Sequence, residues 1–398
     1  MTSAPGFAVR VRPPTVTGDR VRLAADVTSP ALGERELWYE TDAARTDWLT
    51  DRADPFLVAT LLLAMIEGGD LTVTGAPVDP VLLRNLVEFQ RIWQAWYGYP
   101  MVAVHAETAA PDLPASESVT AFSGGADAAF SAWFHTRGDG HASRPVQAAM
   151  MIFGMDIPLS EPEGFARAAA RSRRLVDDLG LEFVAVATNA WTLPVPVPHY
   201  TGMGVAAALH VLGGRFGAGL IPSTAAYADL VVPLNTSPVS DWLLGASRFD
   251  VVHSGASFNR FEKLRVLAEW PAAMDGLRVC LLDPRHDRNC GKCNKCMITL
   301  AAFRIVGVEP ACFDRPVTGD ELLAWARTLP SAPYYVQEGS YLVQGASDRG
   351  LEEPWVRALA RRIRTAQVKD AVRAAFPGFA TRTAELHRRA LQLRPTRG

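Results

Sequence analysis

The chain has 398 residues, 48% of them hydrophobic and 21% charged, with a net charge of −2 at pH 7. That length predicts two or three domains, and the composition excludes long disordered tracts. The near-neutral balance excludes a global pull toward nucleic acid or anionic membranes.

Near the N-terminus, Arg10, Arg12, Pro13 and Pro14 stand where a secretory signal would need an apolar stretch, and the longest apolar run, near 56–66, is too short to span a bilayer. A cytoplasmic protein with no membrane partner is expected. Residues 36–39 read as a short strand, and 55–67 as an apolar helix opened by Asp54 and Pro55. A strand-like 71–74 precedes a helix over 80–96, capped by Asp79, with Leu82, Leu83, Leu86, Phe89 and Ile92 at helical spacing. A strand at 101–105 then leads into a linker with Pro111 and Pro114. Residues 1–110 are thus expected to form a separate small α+β domain.

From Ser118 strands alternate with helices. Strands are expected at 119–122, 148–153, 182–187, 218–222, 249–253 and 278–282, with helices through Trp133 and over 164–179, 204–212 and 260–270. This predicts an α/β domain over 118–310, a mainly parallel sheet with helices on both faces. Ligands of such sheets bind beyond the carboxyl ends of the strands. Residues 311–398 read as a mostly helical region with strand-like pieces at 334–336 and 341–343. Its helix at 355–375 carries Arg357, Arg361, Arg362 and Arg364, and its basic tail holds Arg382, Arg388, Arg389, Arg394 and Arg397 against Glu385. Without aromatic interleaving, the basic stretch reads as a solvated face and tail, which weighs against a nucleic-acid partner.

The first strand of the α/β domain runs through Phe122 into Ser123-Gly124-Gly125-Ala126-Asp127 and then a helix. Free N–H groups of such a turn and the positive end of the helix dipole converge on one spot, which suits an anion. A Walker-type loop fails for want of a lysine, a nucleophile elbow because Ala121 replaces its first glycine, and a dinucleotide fingerprint for want of spaced glycines. A plain strand-to-helix turn is the alternative reading.

Five cysteines occur, and four of them, Cys280, Cys290, Cys293 and Cys296, fall within seventeen residues. In a reducing cytosol such clustering points to a metal rather than to disulfides. Four thiolates close a tetrahedral Zn2+ shell, giving a structural site that pins the last strand to the following helix. The Cys-x-x-Cys-x-x-Cys portion also leaves an iron–sulfur cluster, or unmetallated thiols, as alternatives. Cys312 stands apart and reads as a small buried hydrophobe.

Ser-Gly-Gly-x-Asp directly after a strand resembles the PP-loop of the N-type ATP pyrophosphatase superfamily. Paired with the downstream cysteines, it resembles the 7-cyano-7-deazaguanine synthase family over about 118–307. The resemblance implies an adenine-nucleotide α-hydrolase-like sheet. It also implies that Ser123, Gly124 and Gly125 line the phosphates of Mg2+·ATP, that Phe122 leads into them, and that Asp127 supports the loop or the metal. Ala128 stands where the usual motif has a serine, so one phosphate-directed hydroxyl is missing.

Phe153-Gly154-Met155-Asp156 occupies the segment where that superfamily reads adenine with backbone groups, although Asp156 also suits a turn. Ser223, after the 218–222 strand, would face the same cleft. Arg260 and Lys263 lie three apart on one helical face, where they would neutralise charge on the α-phosphate or simply form a solvated face. A stiff loop with Pro194, Pro196 and Pro198 is expected to carry His199 and Tyr200 as a lid or substrate reader. A polar loop at 235–238 reads as a cleft neighbour or a turn.

The expected activity is an AMP-forming ligase that adenylates a carboxylate or carbonyl oxygen, a 7-deazaguanine-type acid being one candidate substrate. Ammonia or an amine then displaces AMP, with a homodimer allowed for. The alternatives are a sulfurtransferase of the PP-loop class and a catalytically degenerate ATP-binding module.

Overall fold

The structure, a computed structural model, describes residues 6–110, 113–138, 142–230, 233, 236–280 and 282–375. The basic tail beyond 375, Asn235 and Pro111 lie outside the described residues. The chain divides into two compact units, Met1–Cys290 with Glu309–Asp314, and Gly291–Val308 with Arg315–Gly398.

The first unit opens with three antiparallel strands, β1 (Phe7–Thr17), β2 (Arg20–Ser29) and β3 (Gly33–Asp42). One face of this meander buries Phe7, Val9, Leu23, Ala25, Val27, Leu37 and Tyr39. The other carries paired charges, Arg10 and Arg12 against Asp26 and Arg20 and Arg22 against Glu40. β1 and β2 go beyond the sequence expectation. Pro13 and Pro14 fall in a bulge, where the register shifts between Arg12 and Thr15, so the strand tolerates two residues without N–H donors.

Next come α1 (Asp54–Glu67), β4 (Leu71–Val78), α2 (Pro80–Tyr97) and β5 (Val104–Thr108). α1 is buried on nearly every side, as its mostly apolar sequence requires. The alternating part follows as β6 (Ser118–Ala121), α3 (Ala126–Arg137), β7 (Val146–Phe153), α4 (Pro162–Asp178), β8 (Glu182–Thr188), α5 (Val197–His210), β9 (Ala218–Pro222), β10 (Asp250–Ser254), α6 (Arg260–Leu267) and α7 (Pro271–Gly276).

The ten strands of the described residues join one sheet, in the order β10-β9-β6-β7-β8-β3-β2-β1-β4-β5. β10 through β8 are mutually parallel, as are β1, β4 and β5, while β3 meets β8 antiparallel. Every residue of β6 is buried, which requires cover on both faces. This is the expected α/β class with a mostly parallel sheet.

The boundary drawn at 110 is corrected. Tyr39 and Glu40 pair with Thr188 and Ala187, Thr41 Oγ1 donates to the Ala185 carbonyl at 2.9 Å, and Asn189 Oδ1 accepts from Trp38 N–H at 3.0 Å. Residues 1–110 extend the same sheet, and their core merges with that of the alternating part.

Three local expectations also change. Residues 277–280 form no strand, because the N–H groups of Val279 and Cys280 go to Asn289 Oδ1 and that of Arg278 to the Gly124 carbonyl. His199 and Tyr200 lie in the first turns of α5 rather than in a lid loop, Tyr200 buried and His199 against Tyr97 with ring centroids 4.1 Å apart. In the second unit 334–336 and 341–343 belong to one helix.

That second unit holds α8 (Asn294–Val306), α9 (Gly319–Thr328), α10 (Pro333–Asp348) and α11 (Pro354–Ala375). Val336, Gly339, Leu342 and Ala346 line the buried side of α10, a helical period that outweighs the local tyrosine-valine strand signal. α9 starts with a capping box between Thr318 and Glu321.

Candidate phosphate-loop site and cysteine cluster

Numbered within the alternating part, the order β8-β7-β6-β9-β10 is three-two-one-four-five, and the chain reverses direction of travel between β6 and β9. A crevice opens at such a point beyond the carboxyl ends of the strands, and ligands of open α/β sheets bind there. The Ser123–Gly125 turn leaves β6 at that position. Phe122 is buried, and its N–H donates to the Met150 carbonyl at 2.7 Å. Gly124 has φ +76°, and a methyl there would come within 2.8 Å of Ser172 Oγ on α4. Gly125 is the N-cap of α3, without a side-chain cap.

Asp127 lies in the first turn of α3. Its Oδ2 accepts from Arg260 Nη2 at 2.6 Å and its Oδ1 from Lys263 Nζ at 3.3 Å. Lys263 is only 1% exposed and also donates to the Ser223 carbonyl at 2.6 Å. Both cations start α6, which is fixed by a reciprocal cap between Asn259 and Glu262. The structure thus brings together Asp127, Arg260, Lys263 and the backbone of Ser223. The Ser223 hydroxyl turns to the Ala225 carbonyl.

Asp127 does not fit a direct magnesium ligand, since each of its oxygens already faces a cation. Among the described residues, the group of three or more His, Cys, Asp or Glu side chains placed to share an ion is the cysteine cluster described below.

Phe153 and Gly154 sit at the end of β7. Phe153 stacks on Phe165 of α4 with centroids 4.5 Å apart. Gly154 has φ +102° and donates its N–H to the Ile157 carbonyl, so that donor serves its own turn. Asp156, from the same turn, reaches Arg278 at 3.8 Å.

Arg278 is the site residue that sequence reasoning missed. Its Nε and Nη2 donate to the Ser123 carbonyl at 3.2 and 3.0 Å, and Nη1 to the His286 carbonyl at 3.3 Å. The available signal was an arginine between Leu277 and Val279 in an apolar run. A charge buried there must find partners.

Two histidines are tied to β10 or its neighbours, His135 through Ser254 and His253 from within the strand. His135 Nδ1 accepts from the Arg144 N–H at 3.0 Å, so Nε2 carries the proton and donates to Ser254 Oγ at 2.9 Å. Burial pulls His135 down to about 4. It is a neutral donor at physiological pH, and not a base for Ser254. His253 Nδ1 pairs with Asp241 at 2.8 Å.

The sulfurs of Cys280, Cys290, Cys293 and Cys296 lie within 4.8 Å of one another and could hold a metal ion. A tetrahedral ion with bonds of about 2.3 Å sets its sulfurs about 3.8 Å apart, inside that limit. The Leu282 N–H donates to Cys280 Sγ at 3.4 Å, an outer contact of the kind that stabilises a ligating thiolate. Gly291, at φ +66°, turns the chain between Cys290 and Cys293. Cys312 is remote in role: burial pushes its thiol up to about 12, and its carbonyl accepts from Asn289 and Arg171.

No helix of the described residues is long and apolar enough to cross a membrane. The chain matches no protein-family model, no curated protein and no solved structure.

Proposed function

We propose that this protein is an ATP-dependent, AMP-forming C–N ligase of the kind its PP-loop resemblance implies. The observation that carries the reading is the Ser123–Gly125 turn at the β6/β9 crevice, flanked by Asp127, Arg260 and Lys263. Arg260 and Lys263 place two cationic side chains beside the start of α3, and cationic groups and the helix dipole both favour a polyphosphate.

ATP would lay its β- and γ-phosphates against the loop N–H groups and carry Mg2+ on its own oxygens, as that ion commonly binds. The carboxylate or carbonyl oxygen of a small-molecule acid attacks the α-phosphorus, and pyrophosphate leaves. Ammonia or an amine then attacks the activated carbon, and AMP leaves with the adenylated oxygen. Arg260 and Lys263 offset charge that develops on the phosphoryl oxygens. The four cysteines would hold zinc in a closed, structural shell that leaves no position for a bound water.

The test is purified protein with ATP, Mg2+ and a panel of carboxylic acids, with ammonia as the nucleophile. AMP and pyrophosphate in equal amounts are expected with at least one acid. Failure to bind ATP or pyrophosphate by calorimetry refutes the reading. ATP binding with no AMP from any acid would favour the degenerate module, and iron with labile sulfide in place of zinc would favour sulfur transfer.

A further inference from the structure

We propose that Arg278 is the positioning residue that shapes the Ser123–Gly125 turn for anion binding, an inference that rests on the phosphate-loop reading above. Arg278 holds two consecutive loop carbonyls. Its guanidinium takes that of Ser123 through two donors, at 3.2 and 3.0 Å, and its own N–H takes that of Gly124 at 2.8 Å.

In a planar trans peptide the C=O and the following N–H point in opposite directions. Two carbonyls aimed at Arg278 therefore turn the N–H groups of Gly124 and Gly125 to the opposite side. Among the described residues neither amide donates to a backbone carbonyl, and Gly125 makes only a long 3.4 Å contact with Ser123 Oγ. They are the donors an anion would take.

A Gly-Gly pair has no side chain to hold this arrangement, because glycine adopts either sign of φ freely. The clamp has to come from outside the loop. The Arg278 side chain is 2% exposed, anchored by the His286 carbonyl and by Asp156, and so is itself fixed. Asp156 thereby gains a role as the anchor of the clamp.

The experiment is calorimetric titration with pyrophosphate of the wild type, Arg278→Lys, Arg278→Met and Lys263→Met, each checked for a cooperative melt. Arg278→Met is expected to weaken pyrophosphate binding about thirty-fold, or about 2 kcal/mol at about 1.4 kcal/mol per decade. Arg278→Lys, which keeps the charge and a donor but not the paired contact, is expected to recover to about five-fold weaker than wild type, with an unchanged melting temperature. If Arg278→Met does not fold, Arg278→Lys alone decides. Either folded variant binding within about twofold of wild type overturns the inference. A wild type that binds no pyrophosphate brings down the phosphate-loop reading and the inference with it. Loss of binding in Lys263→Met alone would leave the reading standing and remove only the role of Arg278.

Discussion

Replacing Lys263 and Asp127 separately should move stability in the same direction and anion affinity in opposite directions. Lys263→Met keeps the apolar stem beside Phe130 but removes the ammonium that faces Asp127 and the Ser223 carbonyl. A lost charge-assisted hydrogen bond costs about 1.5–3 kcal/mol, and a buried carbonyl left without its donor about 1–3 kcal/mol. Because Arg260 still neutralises Asp127, the total should fall near 3 kcal/mol, at the lower end of the range for breaking a buried ion pair. Asp127→Asn leaves two cations facing a neutral amide and should cost a comparable amount. The double variant should recover about 1–2 kcal/mol relative to the sum, since the two groups are in contact. Stability is read from urea unfolding at pH 7.

Affinity separates the roles. Lys263→Met should weaken pyrophosphate binding, whereas Asp127→Asn removes a negative charge from beside the loop and should tighten it several-fold. If Asp127→Asn weakens binding as much as Lys263→Met does, the carboxylate touches the ligand or its metal. The account of Asp127 as a holder of cations would then be refuted. Additive stability changes below about 0.5 kcal/mol each would show that the three charges do not act as a buried unit.

Gly124→Ala should cost about 1–3 kcal/mol, from its φ of +76° and the clash with Ser172, and Ser172→Ala in the same chain should return part of it in thermal melts. Metal analysis should find one zinc per chain without iron, and chelation or Cys290→Ser should lower the melting temperature; protein that purifies without metal would contradict this. Asp54, 2% exposed on α1, is raised by burial from 3.8 to about 7. The folded chain therefore holds this proton where the unfolded chain has lost it. Its stabilising effect is complete below pH 3.8 and is lost as pH rises toward 7, with a slope of up to about 1.4 kcal/mol per pH unit that Asp54→Asn should flatten. His135 and His210, both lowered by burial to about 4, act the other way. Their contribution is present above pH 6.5 and is lost as pH falls toward 4. His210→Gln, whose amide can donate to the Leu244 carbonyl, should reduce that acid limb in pH-dependent unfolding.

What the amino-acid order determined alone is local. Asp79 before Pro80, Asn259 with Glu262, and a Gly-Gly turn after an apolar run act through neighbours a few residues apart, so caps and turns could be placed before any fold was known. The cysteine spacing belongs to the same class. Tertiary structure decided where the first strands go and which charges meet. β3 finds β8 across some 150 residues because a shared apolar face and complementary edge groups bring them together, and neither is visible in a short window. Asp127 meets Arg260 and Lys263 across 133 and 136 residues for the same reason. Arg278 was hidden most completely. An arginine in an apolar run carries no pattern of its own, and its meaning comes from the two loop carbonyls that folding places against it.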